Sequence, residues 1–247
     1  MTVMTADTGI NTIPARNAPV LFKEGSVSTN TEMKARASEF PHGTVLWSLS
    51  QTAGRGRSGR TFISPDGGLY YSMLLKFPEP DERLTAVTPL AAVAVVRALR
   101  SVCGMSAQIK WPNDILSGEK KLCGILTESV TGSSGMQVIV GIGINVNTDT
   151  FPGLPENTAC SVFTETGRRS DISGLAEQLT YELDRVYAKL PETGTEELEE
   201  YRSLCCTIGR KISLVGTALR IEEDFSLVTQ LPDGKEKRIY FGEIFQE

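Results

Sequence analysis

Glycines and arginines alternate through the stretch Gln51 to Met73, QTAGRGRSGRTFISPDGGLYYSM, and the chain's potential for chemistry concentrates there. Gly54, Gly56 and Gly59 let the backbone turn tightly and approach a ligand, while Arg55, Arg57 and Arg60 set guanidinium groups between and after them. Such a loop suits an anion, because arginine holds phosphate or carboxylate oxygens through charge-assisted hydrogen bonds. The glycines also satisfy G-x-G-x-x-G, but that dinucleotide pattern works only between a strand and a helix. Here Thr61, Phe62 and Ile63 are β formers, Pro65 and Gly67-Gly68 make a turn, and Leu69 to Lys76 is a second apolar run. A loop between strands is expected in place of a Rossmann crossover.

The rest of the composition narrows the chemistry. The 247 residues suffice for one core and a small second domain. A net charge of -5 argues against nucleic-acid binding by bulk electrostatics. No stretch reads as long and apolar enough to span a bilayer, and Met1 to Pro19 lacks the basic start and apolar middle of a signal peptide. A cytoplasmic protein that binds neither DNA nor membrane is therefore expected. Cys103, Cys123, Cys160, Cys205 and Cys206 show no C-x-x-C spacing and should be reduced structural thiols. His42 is the only histidine, which weighs against a Ser-His-Asp triad and a histidine-based zinc site.

The elements that must position the loop follow from periodicity and punctuation. Residues 1–19 are aperiodic and read as a disordered tail. Val20 to Lys23 is a strand, and Thr29 with Glu32 matches a capping box that starts a helix running to Phe40, before Pro41. Thr44 to Ser50 and Leu69 to Phe77 are strands flanking the loop. Thr88-Pro89 caps and opens a buried apolar helix, which Gly104 closes. Ala107 to Trp111 is a strand ending in a turn at Asn113 and Asp114, whose polar groups can face a cleft. Lys121 to Glu128 is a strand with a lysine at its mouth. After a hairpin loop at Thr131 to Gly135, Met136 to Asn147 is a strand in which Gly141 and Gly143 permit close backbone approach. Ile172 to Leu190 has helical spacing, an acidic helix spans Thr195 to Leu204, and short β runs follow from Ile208. The expected organisation is a tail at 1–19, an α+β domain with a mixed β-sheet and packed helices at 20–204, and a small C-terminal β domain at 205–247.

Five separated motifs share one character: S-T-N at 28–30, Q-T-A-G-R-G-R-S-G-R at 51–60, K-W-P-N-D at 110–114, K-L-C-G-I-L at 121–126 and V-G-I-G-I-N at 140–145. In that order and at those separations they resemble the catalytic domain of the biotin protein ligases, strongly from Val20 to Asn147. The resemblance implies a catalytic domain like that of class II aminoacyl-tRNA synthetases and a small, barrel-like C-terminal domain. It implies ATP, biotin and Mg2+, formation of biotinyl-5'-AMP, and transfer to one lysine of a biotin carboxyl carrier protein or domain of a biotin-dependent carboxylase. Carried over by motif, Ser28, Thr29, Asn30, Gln51, Gly54, Arg55, Gly56, Arg57, Lys121 and Gly124 would bind biotin. Arg55, Arg57, Ser58, Phe62, Asn113, Asp114 and Asn145 would bind the nucleotide, with Lys121, Arg57 and Asp114 catalytic and no metal ligands assigned.

The chain departs from the family pattern in three places. Phe62 stands where the loop usually has a tryptophan, which keeps a stacking face and loses the indole N–H. No winged-helix DNA-binding domain is expected before Val20. Gly242-Glu243-Ile244 replaces a terminal signature, and the stretch from Val215 to Ala218 is short by a hairpin. The alternative within the related fold is a lipoate or octanoate ligase or transferase, against which the arginine-glycine loop followed by K-W-P-N-D weighs. From another class, a non-catalytic module holding a nucleotide or other anion would also use such a loop. An exposed sheet edge could support a homodimer.

Overall fold

The computed structural model of the chain describes residues 2–3, 16–79, 84–132, 135–188, 190, 195–212 and 215–240. Its strands are β1 (Thr2–Val3), β2 (Val20–Ser26), β3 (Val45–Gln51), β4 (Leu69–Phe77), β5 (Gln108–Lys110), β6 (Asp114–Ser117), β7 (Lys120–Gly132) and β8 (Gly135–Ile144). Together they form one eight-stranded sheet in the order β1-β2-β3-β4-β8-β7-β6-β5. Only β2 and β3 run parallel, so the sheet is mixed as expected. Strands β9 (Lys211–Ile212), β10 (Gly216–Ile221), β11 (Leu227–Gln230) and β12 (Glu236–Ile239) make a second, antiparallel sheet, open among the described residues. The helices are α1 (Thr29–Ala35), α2 (Leu84–Cys103), α3 (Val162–Thr166), α4 (Ile172–Ala188) and α5 (Thr195–Leu204). The fold is α+β.

The two faces of the large sheet differ. One carries the main core, where α2 lies between the strands and α4. Small residues allow that close packing: Ala91 to Val96 of α2 are all fully buried. Helix α2 is also long and apolar enough to cross a membrane, with a mean hydropathy of 1.6, which corrects the sequence-based expectation that no stretch is. Burial in this core accounts for its apolarity. The other face holds a smaller cluster under α1, where Met33 and Ala37 pack on Leu21, Leu46, Leu74 and Ile139.

Local chemistry moved several boundaries. Ser28, not Thr29, caps α1, its hydroxyl accepting from Thr31 N, while Glu32 reaches back to Val27 N at 3.2 Å. The helix ends at Ala35 and not at Phe40. Thr88-Pro89 does not open α2, which is already helical from Leu84; Thr88 instead meets Thr127 Oγ1 at 2.8 Å. Strand β6 is additional to the expected elements: Asn113 lies in the expected turn, but Asp114 already begins the strand. Thr61 to Ile63 forms only a bridge from Thr61 to Arg55. Of the expected tail, β1 pairs with Leu21 and Phe22, and Arg16 forms an ion pair with Asp184 of α4. The Gly242-Glu243-Ile244 signature lies outside the described residues.

The small sheet is bound into the large one through Trp111, which is 2% exposed and follows β5 through a cis peptide to Pro112. Its indole Nε1–H donates to Phe225 O and its backbone N–H to Thr207 Oγ1, both at 2.9 Å. Trp111→Phe strands the buried Phe225 carbonyl without a donor, which costs about 1–3 kcal/mol. The expected outcome is a lower urea midpoint with an unchanged slope. An unchanged midpoint would show that this bond does not couple the sheets.

Candidate functional site

A cavity of about 380 Å³ opens on the α1 face of the sheet. Its existence follows from side chains that are missing. On this face β8 presents Ile139 to the helix and then Gly141 and Gly143, so the floor drops at the N-terminus of α1. Gly143 pairs across the sheet with Tyr70 on one side and Gly124 on the other, and Gly124 pairs with Asp114. Two protein groups use the room. A methyl group at Gly141 would collide with the Asn30 amide, and one at Gly143 would come within 2.6 Å of the Phe62 ring.

At one end, helix α1 and β3 to β4 build a polar nest. Thr29 N–H donates to Gln51 Oε1 at 2.9 Å, and Gln51 Nε2 donates in turn to Ser64 Oγ at 3.0 Å, so the Gln51 amide is fixed in one orientation. Ser72 Oγ donates to Asn30 Oδ1 at 2.7 Å and lies 2.8 Å from Thr29 Oγ1. Asn30 Nδ2 donates to Leu126 O and Glu128 Oε2, at 3.2 and 3.1 Å. Ordered donors and acceptors, held before any ligand arrives, favour a polar ring with matching groups.

The arginine-glycine loop forms a narrow ribbon over the cavity. Gly56 N–H bonds Arg60 O at 2.7 Å and Phe62 N–H bonds Gly54 O at 3.0 Å, closing the ribbon around a tight turn at Arg57–Gly59. Ser58 and Gly59 both take positive φ, 54° and 75°, which turns Ser58 away from the cavity. Arg55 lies 3.4 Å from Glu128 Oε1, and Arg57 donates to Asn113 Oδ1 at 2.9 Å. Those contacts tether the ribbon to β7 and to the head of β6.

Beyond the loop, Lys121 Nζ stands 2.7 Å from Asp114 Oδ1 and 5.8 Å from the centre of the Phe62 ring. The Lys121–Asp114 contact is close enough for an ion pair, and Oδ1 is buried without a well-directed hydrogen bond. Lys121 is held at its backbone: its N–H bonds Thr158 O, and its carbonyl accepts from Cys160 N, both at 2.9 Å. Asn145 works on the same strap. It is buried, with Nδ2 on Cys160 O at 2.9 Å and Lys121 O at 3.4 Å.

Of the residues singled out from sequence, Ser28, Thr29, Asn30, Gln51, Arg55, Gly56, Arg57, Phe62, Asn113, Asp114, Lys121 and Gly124 line this one cavity. Gly54, Ser58 and Asn145 do not line it. Gly54 serves the ribbon, since a Cβ there would strike Ser64 Oγ and Phe62 O. The sequence reading assigned no role to Tyr70 and Lys110, which line the cavity from β4 and β5, nor to Ser64 of the loop, Ser72 of β4 and Glu128 of β7, which hold residues that do. Among the described residues no cluster of acidic, histidine or cysteine side chains could hold a metal. The cysteines are free thiols, and burial pushes Cys160 up to about 12, which keeps it a thiol at neutral pH. A second cavity of about 270 Å³ adjoins the first beyond Arg57 and Asn113, walled by α2, Trp111 and the turn Asp224 to Ser226.

A preformed polar nest, a lysine-carboxylate pair and an arginine ribbon along one sheet face suit a ligand with a polar head and an anionic tail. Residues 25–145 match the model of the biotin/lipoate A/B protein ligase family. The biotin–[acetyl-CoA-carboxylase] ligase of Paracoccus denitrificans is 30% identical, over 87% of this chain and 97% of its own length. The bifunctional ligase/repressor BirA of Bacillus spizizenii is 34% identical over 83% of this chain, which spans 66% of that relative's length. Among solved structures, the Aquifex aeolicus biotin protein ligase in complex with biotin and ATP superposes with a TM-score of 0.79 at 27% identity, covering 92% of this chain and 98% of that one. The chain belongs to the biotin/lipoate A/B protein ligase family.

The Arg55–Glu128 tether joins a half-exposed guanidinium to a partly buried carboxylate, and exposed pairs contribute about 0.2–1 kcal/mol. Glu128→Gln should therefore raise the fraction of detached loop by up to about fivefold. Limited trypsin digestion reads this as faster cleavage after Arg55, Arg57 and Arg60. Cleavage at the wild-type rate would show that the pair does not hold the loop.

Proposed function

We propose that the chain is a biotin protein ligase, activating biotin with ATP to biotinyl-5'-AMP and passing the biotinyl group to a lysine of a biotin carboxyl carrier protein or domain. The observation that carries this reading is the gathering of the polar nest, Lys121, Asp114 and the arginine ribbon along one cavity. In the nest, Ser28, Thr29, Asn30 and the locked Gln51 would bind the ureido ring, which needs paired donors and acceptors. Lys121 would orient the attacking carboxylate and later polarise the acyl carbonyl. Arg55 and Arg57 would stabilise charge on the α-phosphate, and the ribbon would keep the mixed anhydride from water.

In the second step Asp114, whose Oδ1 lies 2.7 Å from Lys121 Nζ, would accept a proton from the incoming lysine. The donor set fits a magnesium ion held through the nucleotide's phosphates, with Asp114 the protein carboxylate in the cavity. Bound there, the ion would offset phosphate charge. The substrates and the reduced thiols are consistent with a cytoplasmic location.

Pyrophosphate release from ATP, compared with biotin, lipoate and octanoate, tests the reading. Release is expected with biotin alone and should fall about 100- to 1,000-fold in Arg57→Ala, the loss seen when one transition-state donor is removed. Release with lipoate or octanoate alone would assign the related acyl chemistry, and none with any acid would leave a binding module.

A further inference from the structure

We propose that Lys110 receives the departing pyrophosphate, an assignment that rests on the adenylation reading above and gives the leaving group its own residue. Lys110 of β5 pairs directly with Asp114 of β6, which pairs with Gly124 of β7. Cross-strand partners share a face, so Lys110 projects from the face that carries the cavity, and it lines that cavity at the end away from the polar nest. Two strand spacings, about 10 Å, separate it from β7. With the carboxylate and α-phosphate at Lys121 and Arg57, the β- and γ-phosphates extend along the cavity into the reach of a lysine side chain.

The charges around Lys110 leave it uncommitted. Asp114, its cross-strand partner, is taken by Lys121 at 2.7 Å. Glu119, whose carboxylate feels the Lys110 charge, is gripped by both terminal nitrogens of Arg210 at 2.8 and 2.9 Å. Among the described residues the half-buried Lys110 ammonium has no hydrogen-bond or ion-pair partner. A lysine beside two occupied carboxylates and inside an arginine-lined cavity is placed for an anion that arrives with the substrate, and its three rotatable donors suit a mobile phosphate.

The chemistry separates its role from that of its neighbours. In the first step a carboxylate oxygen bonds the α-phosphorus, the bond from that phosphorus to the α–β bridging oxygen breaks, and pyrophosphate leaves with the electron pair. Lys110 stabilises the charge gathering on that leaving group. In the second step the carrier amine bonds the acyl carbon, the acyl carbon–oxygen bond breaks, AMP leaves with its electrons, and the amine sheds a proton. No pyrophosphate takes part, so Lys110 is idle.

The test uses the full chain, Lys110→Met and Lys110→Arg in two assays: biotin-dependent exchange of pyrophosphate into ATP, and transfer from synthetic biotinyl-5'-AMP to a carrier domain. Exchange should fall about 100-fold in Lys110→Met and recover partly in Lys110→Arg, with transfer unchanged in both. Exchange at the wild-type rate overturns the assignment, as does a parallel loss of exchange and transfer, which would mark a structural role. A wild-type chain that transfers but does not exchange overturns the assignment with the adenylation step. One that does neither overturns the ligase reading beneath it.

Discussion

The site depends on one register of the large sheet. Tyr70, Gly143, Gly124, Asp114 and Lys110 face one another in a row across β4, β8, β7, β6 and β5. Because paired residues share a face, the two glycines remove the middle of the row and the outer residues become walls. A slip of one residue in β8 would turn Gly143 over and bring Ile142 or Ile144, both now buried in the core on the opposite face, into the cavity. The register is protected by that same core: β8 offers Val138, Val140, Ile142 and Ile144 to the α2 side, and their burial is lost if the strand shifts. Hydrophobic packing on one face thus fixes a polar site on the other.

The parts of this arrangement that were legible in the sequence are those written in contiguous residues. Punctuation by glycine and proline located the loop between β3 and β4, and helical spacing located α4 and α5 closely. Where a signal had two meanings, tertiary contacts decided. Thr88-Pro89 looks like a cap followed by the first helical residue, yet the helix reaches back to Leu84 and the threonine hydroxyl bonds across to β7. Asn113-Asp114 looks like a turn, and Asp114 does follow one, but it is also the first residue of β6.

What stayed hidden arises from pairing between distant segments. Glu128 terminates an apolar run and gives no local hint that Asn30, Lys34 and Arg55 converge on it. Asn145 illustrates the converse. Its motif marks it as part of the site, and it acts on the site from beneath, by holding the carbonyls of Lys121 and Cys160. Motif membership is a statement about position along the chain. Only the register across strands says which side chains meet the cavity and which hold those that do.

Charge completes the argument. The chain carries a net charge of -5, but the cavity is lined by Arg55, Arg57, Arg60, Lys110 and Lys121 against one carboxylate, Asp114. Like charges so gathered repel, and among the contacts that offset them are a half-exposed pair at Glu128, an amide oxygen at Asn113 and the Asp114 carboxylate held by Lys121. Charge-assisted bonds to an anion are stronger than a bond to a neutral amide, so an anion entering the cavity competes with the Arg57–Asn113 contact. An anionic ligand therefore relieves repulsion as it binds.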